Sequence, residues 1–289
     1  MTKTCRPLKG YRDFQQCYEL QEAIWGRGFS GGVQPVMQMI IDKMGGVVSG
    51  AFDGQDRMTG FVLGLTGLYR GRLAHWSHML GVRPGWGGHG LGQQLKWHQR
   101  QQVLEAGIED VLWTYDPLES RNAHLNLNRL GAWVEEYQRD VYPTSESPRH
   151  GHGTDRFLVR WKLRDPRVER LARGRRAHPS GEAEAEVRHS GCRVQEAEAP
   201  LAHQGVEEAG VPSPGGWRAD RRVRVEIPAE IESVKGTSPR AGRAWRLFTR
   251  AAFEHYLGRR YRVTGYLPPG RKGQGEEGER RGSYLLEAP

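Results

Sequence analysis

Residues 80–92 of this chain read Leu-Gly-Val-Arg-Pro-Gly-Trp-Gly-Gly-His-Gly-Leu-Gly, so an apolar strand runs into a glycine-dense turn that opens a helix. Backbone amides in the first turn of a helix lack intrahelical acceptors and carry partial positive charge, which makes that end of a helix an anion site. Glycines let an anion approach closely because no Cβ is in the way. The stretch therefore predicts a turn that binds a phosphate or pyrophosphate.

A dinucleotide site of the Rossmann type is the main alternative use of such glycines. That site expects its turn after the first strand of a βαβ unit, with an acidic residue about 20 residues further on. Here the turn follows three predicted strands, and two of them are joined by Asp53-Gly54, a pair typical of hairpins. This order favours another kind of phosphate ligand. A tight turn without any ligand also attracts glycine, and that interpretation stays open.

Outward from the turn, hydrophobic periodicity predicts an α/β (α+β) domain that ends near Leu163. The expected order is helix, helix, three strands, helix, strand, short helix and two strands. The corresponding ranges are 11–25, 36–44, 47–52, 58–68, 73–82, 91–106, 111–115, 122–130, 133–142 and 156–163.

The composition changes after this domain, and the chain is expected to fall into three parts. Residues 1–163 form the first domain, and residues 164–221, which lack aromatic residues before Trp217, are interpreted as a low-complexity linker or loosely ordered region. Residues 222–289 are expected to form a strand, a helix, a strand, a tail and a strand. Because residues 111–163 show the same order, the C-terminal block is interpreted as half a domain repeated. Chance recurrence of strand-helix-strand is the alternative.

Composition and cysteine usage exclude several classes of protein. No run of the 289 residues approaches the roughly 18 apolar residues of a membrane helix, and the first ten residues lack a secretion signal. We therefore expect a cytoplasmic protein with no membrane partner. Cys5, Cys17 and Cys192 lack the spacing of a zinc site, so neither a metal site nor a disulfide framework is expected.

The net charge of +9 raises the question of nucleic acid. Residues 1–163 carry 19 Lys and Arg against 16 Asp and Glu, and residues 164–289 carry 24 against 18. Because the basic excess is interspersed with glutamates, it favours a solvated surface over a groove for polyanions, and we do not expect a nucleic-acid partner.

At this point the chain resembles the GNAT superfamily of acyl-CoA-dependent N-acyltransferases. The family pattern is a strand ending in Val, then Arg/Gln-x-x-Gly-x-Gly/Ala and a helix. Val82, Gly90 and Gly92 match this pattern, whereas Gly87 stands where the family usually has Arg or Gln. A little-characterised group of GNAT acetyltransferases with a C-terminal extension has similar strings, which here cover residues 75–82, 95–100, 113–118 and 122–132.

The resemblance implies a GNAT-like mixed, mostly antiparallel sheet flanked by helices, with a C-terminal strand-helix-strand extension. It also implies acetyl-CoA or another acyl-CoA as co-substrate, held mainly by backbone amides of the turn. The cofactor-binding residues implied are Leu80, Val82, Gly87, Gly88, His89, Gly90, Leu91, Gly92 and Asn122. Asn122 and Asn126 are one helical turn apart and so are expected to share a face, although Asn122 could equally be a helix cap.

His78 is the candidate general base. By alternation it shares a face of its strand with Leu80 and Val82, whereas His75 and Ser77 are expected on the opposite face. An imidazole titrates near neutral pH, as a base for an ammonium substrate should. A histidine that only packs or hydrogen-bonds is the alternative.

The usual proton donor of the family is missing. Many GNAT enzymes have a tyrosine four residues before the glycine that ends the helix after the fifth strand, and Gly131 places Leu127 there. Tyr115 and Asn126 are the substitutes considered first, followed by Asn128 and Tyr137, and water is a further alternative.

Two residues are candidates for substrate contacts. Trp25 and the glycine loop after it resemble the family's acceptor-covering region, although a tryptophan packed in the core is the ordinary interpretation. Asp116 follows a strand and precedes a proline, where it could orient an ammonium group, but a plain Asp-Pro turn is the alternative.

The sequence thus predicts an acyltransferase (EC 2.3.1.-) that moves an acetyl group, or a larger one such as succinyl, directly from acyl-CoA to a small amine such as an amino acid. A non-catalytic acyl-CoA-binding regulatory protein is the alternative, because of Leu127. An RNA- or ribosome-associated modifier is a third hypothesis. A homodimer is kept open as a partner state.

Overall fold

A computed structural model describes residues 4–142, 153–177, 216–270 and 280–289. In chain order, the elements are β1 (Thr4–Pro7), α1 (Gly10–Trp25), α2 (Pro35–Lys43), β2 (Val47–Phe52), β3 (Met58–Tyr69), β4 (Arg72–Val82), α3 (Leu91–Glu105), β5 (Asp110–Tyr115), α4 (Ser120–Ala123), a π-helical segment (His124–Arg129), β6 (Trp133–Gln138), β7 (Arg156–Lys162), α5 (Pro166–Ala177), β8 (Arg222–Pro228), α6 (Ile231–Thr237), α7 (Pro239–Gly258), β9 (Arg262–Leu267) and β10 (Arg281–Glu287).

The strands form a seven-stranded and a three-stranded sheet. The larger sheet has the order β1-β2-β3-β4-β5-β7-β6. Its first four strands pair antiparallel, and β4 pairs parallel with β5. The smaller sheet is antiparallel with the order β8-β10-β9. The expected mixed, mostly antiparallel sheet flanked by helices, with a C-terminal extension, is therefore confirmed.

The chain divides into two compact units, Met1–Trp113 with Arg160–Ala172 (unit 1) and Thr114–Val159 with Arg173–Pro289 (unit 2). In unit 1 helices pack on both faces of the sheet. Phe61 of β3 packs in a cluster with Phe14 of α1, whereas its neighbour Val62 packs with Leu91 and Leu95 of α3. Successive strand residues point to opposite faces, so β3 serves both layers.

Unit 2 contains the small sheet and an aromatic core. The Tyr284 ring of β10 lies 5.2 Å from Phe253 of α7 and 5.4 Å from Phe157. Helix α7 begins where the Ser238 hydroxyl accepts a hydrogen bond from the Ala241 amide at 3.2 Å. In the small sheet the last strand along the chain, β10, lies between the other two. In the larger sheet β7 likewise lies between β5 and β6. The three-part division of the chain and the half-domain repeat remain predictions.

Three local expectations differ from the structure. Strand β1 was not foreseen from the sequence, because four residues are too few to show a periodicity. Strand β6 ends at Gln138 instead of residue 142, since Asp140 has a left-handed φ of 43°. The expected helix over residues 122–130 begins at Ser120 and becomes π-helical from His124.

Helix α5 lies inside the range that was expected to be a linker. The Asp165 carboxylate accepts a hydrogen bond from the Arg167 amide at 2.8 Å, and Pro166 stands in the first turn. Val168 is fully buried, and Glu169 forms an ion pair with Arg100 at 2.5 Å. These contacts hold the helix although its composition is polar. The rest of the predicted linker, residues 178–215, lies outside the described residues.

Candidate active site

The glycine turn lies between β4 and α3, as the sequence predicted. Gly88 and Gly90, the residue that precedes α3, have φ of 82° and 68°, which glycine adopts without strain. In the described part of the chain no side chain caps this helix, and its first hydrogen bond runs from the Gln94 amide to the Gly90 carbonyl at 3.0 Å. The amides of residues 91–93 thus lack an intrahelical acceptor and can bind an anion.

Gly87 has no internal reason to be glycine. Its φ lies outside the left-handed region, and a Cβ added there would meet no heavy atom within 4 Å. His89 beside it is exposed. A ligand that must approach the backbone closely would account for the missing side chain at Gly87.

The apolar residues around the turn are engaged in packing. Leu80 and Val82 pack with Leu91 in the cluster beneath α3. A Cβ at Gly92 would lie 3.7 Å from Leu80 Cδ2 and 3.9 Å from Val82 Cγ2, which is ordinary contact distance. The side chains therefore join helix to strand, and backbone groups are what these positions offer to a ligand.

A β-bulge interrupts β4 at His78. Leu63 of β3 pairs with Met79 and Gly64 pairs with Ser77, so His78 is the extra residue of the bulge. The His78 side chain is exposed, yet desolvation on its protein side lowers its pKa. Its imidazole is therefore neutral at pH 7, in the state that a general base requires.

The bulge overturns the expected facing of β4. Simple alternation placed His75 and Ser77 opposite Leu80 and Val82, which is wrong. Ser77 hydrogen-bonds Gln99 of α3 at 3.0 Å, and Leu80 also faces α3. The extra residue at the bulge shifts the alternation by one, so Ser77 before the bulge and Leu80 after it point to the α3 layer, whereas Met79 packs in the α1 cluster.

Strand β4 pairs with β5 over a short stretch. The pairs are His75 with Val111 and Trp76 with Leu112, and β4 continues to Val82 beyond them. Beyond the last pair, backbone groups of β4 on the β5 side are available to another partner. An extended ligand with amide groups, such as a pantetheine arm, can hydrogen-bond such a strand edge.

A buried polar network beneath the bulge was not found from the sequence. Lys96 of α3 contacts Ser77 and Gln99, and Gln99 contacts His75. The spacing of Lys96 and Gln99 puts both on one helix face, but lysine and glutamine are ordinarily surface residues. The pattern alone therefore gave no signal of burial.

In unit 2, the candidate general acid Tyr115 and the candidate substrate-binding residue Asp116 both contact groups of the protein. Tyr115 is buried with its hydroxyl 3.4 Å from that of Tyr284, and burial raises its pKa well above the usual range. Asp116 accepts a hydrogen bond from Arg246 at 2.5 Å, and its carboxylate also caps a turn through the Leu118 amide. Asp116 is therefore engaged by groups of the protein, and its contact with a substrate ammonium stays a prediction.

The two predicted asparagines of unit 2 do not share an environment. Asn122 is exposed inside α4, so it is not the helix cap, whereas Asn126 in the π-helical segment is buried. A π-turn adds a residue to the helical repeat, which changes the facing expected from α-helical spacing. Leu127 in the same segment is buried with 1% exposure.

Trp25 ends α1 in an aromatic cluster of unit 1. Its ring stacks on Phe29 at 5.7 Å and meets Phe61 edge-on at 6.0 Å. Gly26, with φ of 102°, ends the helix and starts the loop. Packing thus explains Trp25, and its contact with an acceptor remains a prediction.

The described residues contain neither a metal-binding group nor a membrane-spanning helix. Across residues 4–142, 153–177, 216–270 and 280–289, no group of three or more His, Cys, Asp and Glu side chains could hold a metal ion. In that same portion of the chain, each helix is too short or too polar to cross a bilayer.

Comparison with known proteins was made by sequence and by structure. No protein family and no curated protein matches the chain in sequence. Solved structures similar to it are N-acetyltransferases. The ribosomal-protein-S18-alanine N-acetyltransferase of Escherichia coli is 15% identical, with 56% of this chain and 94% of that chain covered and a TM-score of 0.44.

Two further structures have the same extent of similarity. A GNAT-family acetyltransferase of Streptococcus pneumoniae is 14% identical over 55% of this chain and 98% of that chain, with a TM-score of 0.45. Arabidopsis thaliana NAA60, solved in complex with acetyl-CoA, is 15% identical over 56% of this chain and 99% of that chain, with a TM-score of 0.45.

Proposed function

We propose that this protein is a GNAT-type N-acyltransferase that uses acetyl-CoA or another acyl-CoA. The observation that carries the proposal is the uncapped start of α3 directly behind a bulged strand, with a glycine at position 87 that the protein's own packing does not require. The amides of residues 91–93 would bind the pyrophosphate, and the free edge of β4 would bind the pantetheine amides.

In the proposed reaction, an amine nitrogen attacks the thioester carbonyl, and the carbon-sulfur bond then breaks to release CoA thiolate. His78 would take a proton from the ammonium form of the acceptor before attack. Its exposure and its lowered pKa suit this role. The second proton that the nitrogen loses as the amide forms would pass through water to the thiolate, since Tyr115 is buried and held by Tyr284 and Leu127 replaces the usual tyrosine.

For the acceptor we propose a small molecule with a primary amine, such as an amino acid, and acetyl or succinyl as the acyl group. The two acyl groups differ in charge, so a donor panel separates them. Cytoplasmic location is part of the same proposal.

A non-catalytic acyl-CoA-binding protein is the second candidate, and the buried Leu127 favours it. Both candidates share the cofactor site and differ only in turnover. Release of CoA thiol from acetyl-CoA and succinyl-CoA, measured with a panel of amines, decides between them. Binding of CoA without release in the whole panel would favour the regulatory protein.

The cofactor site is tested with two matched glycine variants. Gly87→Val fills the space predicted for the pyrophosphate, whereas Gly67→Val adds the same side chain at an exposed glycine of β3 with equally open surroundings. Calorimetric titration with CoA should show at least a tenfold weaker affinity for Gly87→Val, about 1.4 kcal/mol, and no change for Gly67→Val. Equal affinity in both variants would place the pyrophosphate elsewhere.

A further inference from the structure

Lys96 is a lysine in the interior of unit 1. Its side chain is 2% exposed, and its ammonium nitrogen lies 2.9 Å from Ser77 Oγ and 2.9 Å from Gln99 Oε1. The same nitrogen stands 3.8 Å from the centre of the Trp113 ring and 5.6 Å from that of Trp161. Two neutral oxygens and an aromatic wall therefore surround it.

No carboxylate balances this amine. Throughout the portion of the chain that the structure describes, no Asp or Glu lies within ion-pair distance of Lys96, and burial lowers its pKa well below the usual value. A buried amine without an acidic partner disfavours the folded state. A role in stability alone therefore does not account for a lysine at this position.

The network around Lys96 has a consistent direction of donors. Lys96 and Ser77 donate to Gln99 Oε1, which leaves the Gln99 amide nitrogen to donate to His75 Nε2 at 3.1 Å. His75 is then protonated on Nδ1 and donates to Thr66 Oγ1 at 3.2 Å, which donates to the Gly45 carbonyl at 3.1 Å. Hydrogen bonds thus connect Lys96, Ser77, Gln99, His75 and Thr66 in one network, which restricts the motion of these side chains.

The network holds β4 at the residue before the bulge. Ser77 pairs with Gly64 of β3, and a Cβ on Gly64 would lie 2.4 Å from His75 Nε2 and 2.5 Å from the Trp76 carbonyl. Strand β3 therefore approaches β4 too closely for a side chain at position 64. Lys96 donates to the Ser77 hydroxyl on the same strand, one residue before the bulge.

We infer that Lys96 is a positioning residue for the acyl-transfer step, which holds Ser77 and thereby the bulge that presents His78 and the adjoining backbone of β4 to the thioester. The catalytic consequence rests on the proposed function, whereas the effect on the strand does not. Lys96 itself is buried and does not touch the substrates.

The variant Lys96→Met tests this inference, with Gln102→Met as the matched control. Gln102 also lies on α3, and it donates to Ser49 of β2 at 2.9 Å, away from the bulge. In the full chain, Lys96→Met should speed amide hydrogen exchange at residues 77–80 by at least about tenfold while the melting temperature stays equal or rises. Gln102→Met should leave the exchange of these amides unchanged.

The kinetic arm uses acetyl-CoA and the best amine of the panel. Lys96→Met should lower kcat by about 10- to 100-fold and leave the KM for acetyl-CoA and the Kd for CoA within about twofold, because the anion turn is untouched. Ser77→Ala should act in the same direction. The double variant Lys96→Met with Ser77→Ala should be no slower than Lys96→Met, because both substitutions remove the same hydrogen bond.

The outcomes separate this inference from the proposed function. Wild-type exchange and wild-type kcat in Lys96→Met would overturn the inference, as would a lower melting temperature with uniformly faster exchange, which marks a purely structural lysine. If the wild-type protein binds CoA but transfers no acyl group, the proposed function fails. The exchange comparison at residues 77–80 still decides whether Lys96 holds the bulge.

Discussion

At the scale of single residues, His78 combines exposure, a lowered pKa and an extra-residue position in β4. A strand residue in a bulge leaves the ladder locally, so its side chain and backbone are free to meet a ligand. The neighbouring His75 differs in every respect, because it is fully buried and hydrogen-bonded on both nitrogens. Two histidines three residues apart therefore suit different roles.

The base assignment predicts the effect of His78→Ala. Turnover should fall by roughly 10² to 10⁴-fold, the usual contribution of a general base, while CoA affinity changes little. The measurement is kcat against pH together with the Kd for CoA. Near-normal turnover of His78→Ala across the pH range would assign the proton transfer to water or to another group.

Burial of His75 predicts a pH dependence of stability. Burial and the nearby Lys96 lower its pKa from 6.5 to about 3, so the unfolded state binds the proton more readily. The lowered pKa of His75 contributes to the free energy of unfolding. This contribution is complete above pH 6.5 and is lost as the pH falls from 6.5 towards 3, at about 1.4 kcal/mol per pH unit.

The variant His75→Gln isolates this contribution. Urea unfolding between pH 6.5 and 5, above the range in which carboxylates titrate, should show a slope of unfolding free energy against pH that is smaller by about one proton than that of the wild type. Identical slopes would mean that His75 accepts a proton in the folded state.

At the scale of elements, α7 carries the charge that neutralises Asp116. Burial alone would raise the pKa of this carboxylic acid, but the charge and the hydrogen bond of Arg246 outweigh burial and lower it. Arg246 is itself 2% exposed. Removing one partner of a buried ion pair leaves the other without compensation, which is more costly than removing both.

We therefore predict that Arg246→Met lowers the free energy of unfolding by about 3 kcal/mol. The double variant with Asp116→Asn should lose clearly less than the sum of the two single variants, because the partners form one interaction. Urea unfolding of the four proteins measures the coupling. Additive losses, or an Asp116→Asn variant whose only defect is a raised KM for the amine, would return Asp116 to a substrate role.

At the scale of the whole molecule, unit 2 joins a middle segment of the chain, Thr114–Val159, to the C-terminal segment Arg173–Pro289. Within this unit β9 contacts β6 and the π-helical segment, and α7 contacts β6. The half-domain repeat remains a prediction, in which β9 corresponds to β6 and α7 to the π-helical segment. Among its described residues, 222–270 and 280–289, the C-terminal block offers no second glycine-rich turn at the start of a helix.

Truncation after Leu163 is the test of this organisation. It would expose Phe157 and Tyr115, which unit 2 covers with residues beyond the cut, and it would remove Val168 of α5 from unit 1. We expect an aggregation-prone or poorly active fragment, as judged by size-exclusion chromatography and by the release of CoA thiol from acetyl-CoA. A soluble, monomeric and fully active fragment would show that the C-terminal block is an independent appendage.

Local sequence patterns predicted the order of the elements from α1 to β7 and the position of the glycine turn, whereas the mostly antiparallel sheet was implied by the family resemblance. Periodicity, turn pairs such as Asp53-Gly54 and glycine density act over a few residues, so they can be recognised without knowing the rest of the chain. Helix α5 shows the limit of composition, because its capping residues were a local signal that a polar background concealed.

The folded structure was needed to find which layer the side chains of β4 point to, that Lys96 is buried and that Asp116 pairs with Arg246. One extra residue at His78 reverses the alternation that sequence counting assumes, and its presence depends on pairing with β3. Arg246 lies 130 residues from Asp116 along the chain, and Lys96 meets Trp161 only after folding. Burial and long-range pairing depend on which surfaces meet, and no local pattern encodes that.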